Sequence, residues 1–322
     1  LETARGGILR SGLGFSRCDV AVVTNIQEDH MGLSDINTLK DMARVKGVVA
    51  ESVKRDGYVV LNADNEYCAG ISKEVSCNVA YFSMNENNPV IIEHCKKGGI
   101  AAIYENGFIT IKKGDWKFRV QKVTSVPLTF GGRVSFMIQN VLAATLATYV
   151  YGFATEDIAT SLETFIPSAA QTPGRMNIFD FKEYKVMIDF AHNADGFRGI
   201  KEFLSTIEST SKIGIITGTG DRRDDDIRDM GRISAEMFDH IIIRQDKFLR
   251  GRQAEEIVKL LVEGIQQVNP MTSYEYVPKE IEALNHAFSI AKPGSFIVAL
   301  SDVIDNAIEV VHSYLDKERE GK

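Results

Sequence analysis

Residues 18–26 read CDVAVVTNI, a short apolar run that ends in polar side chains. A continuous run of this kind suits a parallel strand buried on both faces, since a strand with one wet face alternates apolar and polar residues. In open α/β sheets the carboxyl end of such a strand carries the chemistry, here Thr24-Asn25-Ile26. Working outward, Asp29-His30-Met31-Gly32 follows on one side. On the other side the chain opens with LETARGGILR over Leu1–Arg10, an acidic residue beside a Gly pair and two arginines. That segment reads as one wall of a nucleotide site whose other wall lies upstream.

A length of 322 residues suits about two domains. The net charge of −7, from 37 basic and 44 acidic residues, argues against nucleic acid as a partner. Phosphate-backbone binding needs clustered Lys and Arg. No apolar run approaches the ~18 residues of a membrane span, so no membrane partner is expected. The cysteines, Cys18, Cys68, Cys77 and Cys95, form no CxxC pair. Reduced thiols in the cytoplasm are the expectation.

Beyond the opening strand, a helix is expected over about Ile36–Val53, with Ser34, Asp35 or Asn37 as its cap. Gly57–Asn62 and Asn78–Ser83 read as strands. Asn106-Gly107 is a hairpin signal, and Lys113-Gly114-Asp115 a second turn, so Ile100–Val126 forms a small antiparallel piece. Gln139–Val150 and Thr155–Phe165 have helical texture. Ile166–Arg175, IPSAAQTPGR, has no periodicity, and the domain boundary is placed there between residues 172 and 173. Afterwards strands (Val186–Phe190, Lys212–Thr217, His240–Gln245, Tyr274–Val277, Ser295–Leu300) alternate with helical stretches. The fold class is α/β: a mostly parallel sheet with a small antiparallel part over 1–172, then a Rossmann-like doubly wound domain over 173–322.

Several constellations can carry chemistry, each with a plainer alternative. Glu2 and His30 can hold a divalent ion or its waters, or be a surface carboxylate and a structural imidazole. Lys46 shares the helix face of Leu39, Met42 and Val49, so it snorkels outward or meets a negative partner, phosphate or a metal cluster, or is itself modified. Asn140 follows a Gly pair near a helix start and can offer its amide to a base edge, or merely cap. Arg175 in Pro173-Gly174-Arg175 can reach a phosphate from a hinge, or be a solvated linker residue. Asp189, His192 and Asn193 stand just past a strand end, where they can meet ribose and phosphate or form a turn and cap. Thr217–Arg223, TGTGDRR, can cradle an anion or be a tight turn. It is no Walker A loop, and Arg223 occupies the third glycine position of GxGxxG.

Taken together, the motifs resemble the Mur ligase superfamily, and within it the cyanophycin synthetase family, whose Mur-like part forms the carboxyl-terminal half. The segments carrying the resemblance are ETARGGILRSGLGFSRCDVAVVTNI, EDHMGL, ARVKGVVAESV, VLNAD, TPGRMN, DFAHNADGF, TGTGDRRDDDIRDMG and LRGR. The resemblance implies an ATP-dependent amide-bond ligase, using ATP and Mg2+, that adds arginine to the β-carboxylate of an aspartate polymer through an acyl phosphate. It implies Glu2 and His30 as magnesium ligands and Lys46 at the position of a carbamoylated lysine. It implies Asn140 at adenine, Arg175 at the phosphates, and Asp189, His192 and Asn193 at the nucleotide. Catalysis would rest on Lys46, His30 and Arg175. Asp221, Arg222 and the Asp224–Asp226 run are candidates for holding the incoming arginine.

One departure is large. The family's GTNGKT-like phosphate loop is missing, as is the ATP-grasp half that adds aspartate, and no Gly-Lys-Thr or Gly-Lys-Ser occurs in the sequence. The chain is therefore read as part of a longer polypeptide, its natural partner, and as catalytically incompetent alone; a homo-oligomer is expected. Ala194, where Pro is common, and Gln27 are smaller departures. Competing readings are a Mur-type ligase for peptidoglycan precursors or folate, and a non-catalytic nucleotide-binding relative.

Overall fold

The computed structural model describes residues 1–28, 31–32 and 35–321. Asp29, His30 and Ser34 lie outside them. The chain divides into two compact units, Leu1–Ile166 and Pro167–Lys322.

The first unit holds a six-stranded sheet, order β1-β2-β3-β4-β5-β6. Strands β1 (Cys18–Val23), β2 (Val53–Asn62), β3 (Asn78–Ser83) and β4 (Ile100–Glu105) run parallel. Then β5 (Phe108–Lys113) and β6 (Trp116–Lys122) return antiparallel. The β4–β5 turn is Asn106-Gly107, both at positive φ (51° and 81°), the conformation that a tight hairpin demands. Successive residues of the strands feed two opposite cores. Val59, Leu61 and Tyr81 pack with Met42 and Ala50 of α2 (Leu39–Glu51) and with Ile91 and Cys95 of α4 (Pro89–Lys96). Val60, Ala80 and Phe82 face Ile138, Leu142 and Leu146 of α5 (Ser135–Tyr151).

Strand β1 departs from the expected two-sided burial. It stands at the sheet edge, and Val22 there keeps 38% of its surface exposed. Helix α2 starts later than expected and is capped by neither Asp35 nor Asn37, the two candidates within the described residues. Thr38 caps it: its hydroxyl accepts from the Asp41 amide while the Asp41 carboxylate accepts from the Thr38 amide, a reciprocal capping box. A short helix α1 (Arg5–Ser11), α3 (Glu66–Gly70) and α4 were not read from the sequence; α6 (Thr155–Thr164) was.

The second unit is a six-stranded sheet, order β11-β10-β9-β12-β8-β7. Strands β8 (Lys185–Asp189), β9 (Ser211–Ile216), β10 (His240–Ile243), β11 (Ser273–Tyr276) and β12 (Ser295–Leu300) are parallel. Strand β7 (Asn177–Asp180), absent from the sequence reading, pairs antiparallel with β8 at the edge. Helices α7 (Ala194–Ser205), α8 (Asp224–Met237) and α9 (Ala254–Val268) pack together. Helices α10 (Glu280–Ile290) and α11 (Ile304–Arg319) form another group, which shares a core with Val186, Ile188, Ile215 and Ile297. Strand β12 is inserted between β8 and β9, which places several strand ends side by side at the carboxyl edge.

Candidate functional site

In the first unit, the carboxyl end of β1 is held by buried amides. Asn62, 1% exposed, donates through Nδ2 to the Thr24 carbonyl (2.9 Å) and to Asn25 Oδ1 (3.0 Å). Asn65 Nδ2 donates to the Ile26 carbonyl at 2.9 Å. The asparagines of VLNADN thus fix the segment that leads into Asp29 and His30, which are outside the described residues. Lys46 Nζ reaches the same place, donating to the Asn25 carbonyl at 3.1 Å. It has polar company at the end of β1, and the Cys68 thiol lies within its field. Burial pushes that thiol up to about 12 and the Lys46 ammonium pulls the other way, so Cys68 stays protonated. Glu2 is exposed ahead of α1. Asn140 is exposed on α5, with its Nδ2 3.8 Å from Met137 Sδ. It borders a cavity of about 490 Å3 that Val141, Phe153, Ile158 and Leu162 also line.

In the second unit, PGRMN and DFAHN form one block. Asp189, 7% exposed, accepts from the Met176 amide (2.9 Å) and the Ala191 amide (2.7 Å), one on each carboxylate oxygen. The Phe190 amide donates to the Gly174 carbonyl, and Asn177 accepts from the Gly174 amide. Burial raises the Asp189 carboxyl above its usual range, and the two amides oppose the shift. Asp189 therefore shapes the turn from within. Arg175 is exposed, its guanidinium 5.5 Å from the Phe190 ring centre. His192 Nδ1 lies 3.0 Å from the Phe190 carbonyl. Asn193 caps α7, its Oδ1 accepting from the Gly196 amide at 2.8 Å. The block thus brings Arg175, His192 and the start of α7 to one strand end.

The glycine-rich turn is arranged differently. At Gly220 an added Cβ would lie 1.9 Å from the Leu249 carbonyl oxygen, so the turn is packed on the LRGR loop. Each acidic candidate there already has an arginine of the chain: Asp221 with Arg250 and Arg222, Asp224 with Arg252, Asp225 with Arg228, Asp226 with Arg223. Arg222 is itself buried.

A second acidic group, which sequence reasoning missed, lines a cavity of about 550 Å3 beyond the carboxyl ends of β10 and β12. Asp246 and Arg244 are each 3% exposed. The Arg244 guanidinium pairs with Asp302 (2.6 Å) and lies 3.7 Å from Glu280, while donating to the Leu300 carbonyl. Ser301 donates to Glu280. Two carboxylates thus meet the Arg244 guanidinium, with Asp246 in its electrostatic field, and Lys247 and Lys279 also line the cavity. Burial raises the carboxyls of Asp246 and Glu280, and Asp302 pushes both further. The three acids stand in separate segments that only the β9–β12–β8 insertion brings together.

The comparisons fit this architecture. Residues 1–148 match the Mur ligase middle domain, and residues 174–302 match the Mur ligase glutamate ligase domain. A cyanophycin synthetase from Geminocystis herdmanii is 45% identical over 98% of this chain, and one from a Synechocystis species 46% over 97%. The chain spans 36% of the length of each. A Staphylococcus aureus UDP-N-acetylmuramoyl-L-alanyl-D-glutamate–L-lysine ligase is 23% identical over 94% of the chain and is covered to 57%. Among solved structures, a pseudomurein peptide ligase type C from Methanothermus fervidus aligns over 93% of this chain and 64% of its own, with TM-score 0.64 and 20% identity. E. coli FolC in complex with DHPP and ADP aligns over 94% and 62%, with TM-score 0.64 and 16% identity. With one Mur model over each half and the two sheets they require, the chain belongs to the Mur ligase family.

Proposed function

We propose that this chain is the amine-adding part of an ATP-dependent amide-bond ligase, and that the incoming amine is a basic amino acid, arginine. The carboxylate acceptor, the aspartate β-carboxylate of a polymer, takes the γ-phosphoryl of ATP; the amine then displaces phosphate. Such chemistry needs cations to neutralise the transferring phosphoryl and a shielded site for the acyl phosphate. Arg175 and His192, held at the end of β8 by the Asp189 block, are the groups we assign to phosphate. Asn140 is assigned to adenine and Asn193 to the nucleotide beside its capping role. Glu2 and His30 are assigned to Mg2+, which would supply charge neutralisation, and Lys46 to the same region of the first unit. Phosphoryl transfer belongs to a polypeptide carrying a phosphate loop, since this sequence has no Gly-Lys-Thr or Gly-Lys-Ser.

The observation that carries the amine assignment is the acidic cavity. Its lining carries four carboxylates, Asp246, Glu280, Glu282 and Asp302, against three cations, Arg244, Lys247 and Lys279. Lys279 pairs with Glu282, and the remaining excess of one negative charge electrostatically favours a further guanidinium. The Asp221–Asp226 carboxylates, by contrast, are each matched by an arginine of the chain. Calorimetric titration of the chain with L-arginine tests the choice. Asp246→Asn is expected to weaken binding by about 1–3 kcal/mol, roughly fivefold to 150-fold, with Asp221→Asn close to wild type. The reverse ranking moves the site to the glycine-rich turn. Affinity should also fall on acidification, starting above the ordinary carboxylate range. The guanidinium needs ionised partners, and burial has raised the carboxyls of Asp246 and Glu280. In the loop-bearing polypeptide, phosphate release that needs a muramyl peptide or folate in place of arginine would discard the substrate assignment.

A further inference from the structure

At the other, amino-terminal end of β10, three metal-ligating side chains converge from three elements. His240 opens β10, Glu275 lies on the edge strand β11, and His286 projects from α10. Their ligand atoms all lie within 4.8 Å of one another. Glu275 Oε2 is 2.8 Å from His286 Nε2, and Glu275 Oε1 is 3.5 Å from His240 Nε2. The His240 ring is oriented from behind: its Nδ1 shares a 2.9 Å hydrogen bond with Ser273 Oγ, its register partner on β11. Its Nε2 is buried and makes no hydrogen bond among the described residues.

We propose that His240, Glu275 and His286 form a binding site for a late first-row divalent cation, Zn2+ foremost. Two imidazole nitrogens and one carboxylate are a donor set that suits zinc, and ligand distances of about 2.0–2.2 Å leave tetrahedral edges of about 3.4 Å. The present separations bracket that value. The Ser273 contact supplies the outer-shell hydrogen bond that metal-bound imidazoles use to fix their orientation. On binding, the proton that His286 Nε2 shares with Glu275 moves to Nδ1 or to solvent, and a water completes the fourth position. The ion ties β11, all four of whose residues are exposed, to β10 and α10. The site is independent of the amine cavity, which opens at the opposite ends of these strands.

The 322-residue chain, with the partly exposed Cys18 and Cys77 replaced by serine, is titrated with Zn2+ and with Co2+. One equivalent of Zn2+ is expected to raise Tm, since a ligand bound to the folded state stabilises it. Co2+ should give the visible absorption of a tetrahedral nitrogen–oxygen site. His286→Ala and Glu275→Gln, at half-exposed and exposed positions, should each weaken Zn2+ binding by about tenfold or more, comparable at least to loss of an outer-shell partner. Far-UV circular dichroism confirms that each variant is folded. Absence of a Tm shift, equal binding by both folded variants, or Mg2+ acting as well as Zn2+ overturns the proposal.

Discussion

Gly220 shows how one residue governs the distance between two motifs. Its missing Cβ admits the Leu249 carbonyl oxygen, and that approach lets Arg250 meet Asp221 and Arg252 meet Asp224. Gly220→Ala places a methyl against backbone, which cannot swing aside. A loss of about 1–3 kcal/mol is expected, as for other overpacked positions, measured by urea unfolding; an unchanged midpoint would mean that the turn relaxes freely. Asp189 makes a related point. The sequence put an acid at a strand end and suggested ribose as its partner. The structure gives both its oxygens to backbone amides, because a buried carboxylate must satisfy its acceptors locally.

Among the elements, α7 joins structure and proposed function in one side chain. Asn193 caps the helix through Oδ1, and nucleotide contact would use Nδ2. Asn193→Ala should cost about 1 kcal/mol of stability through the lost cap. Asn193→Asp keeps the acceptor and should unfold like the parent, yet bind ADP more weakly through the lost donor and the added negative charge. Equal ADP affinity in the Asp variant would leave Asn193 as a cap alone. The strands β3 and β12 were legible to the residue, since each is a short apolar run bounded by turn formers. Helix α1 and strand β7 were not: one is a single short helix without a side-chain cap, the other a four-residue edge strand whose pairing with β8 forms it.

At the scale of the molecule, each unit has its own sheet and its own core. Residues 167–322 should therefore fold alone, with one cooperative thermal transition and native-like far-UV circular dichroism. A molten, non-cooperative product would show that this core depends on the first unit. The compact units divide at Ile166, inside the segment that lacks periodicity and ahead of Pro173-Gly174-Arg175. Among the described residues no helix is long and apolar enough to cross a membrane.

The sequence by itself determined the alternation of strands and helices, the hairpin at Asn106-Gly107 and the motifs that belong to the Mur ligase family. Those signals are local, set by apolar runs, turn chemistry and short spacing. Only the tertiary structure decided which charges are spent and which are available. The Asp221–Asp226 carboxylates and the LRGR arginines read as separate motifs along the chain but pair across a glycine contact. Asp246, Glu280 and Asp302, and likewise His240, Glu275 and His286, meet only because strand order and helix packing bring distant segments together. Electrostatic partnership depends on distances of a few ångströms in space, and linear sequence carries no record of them.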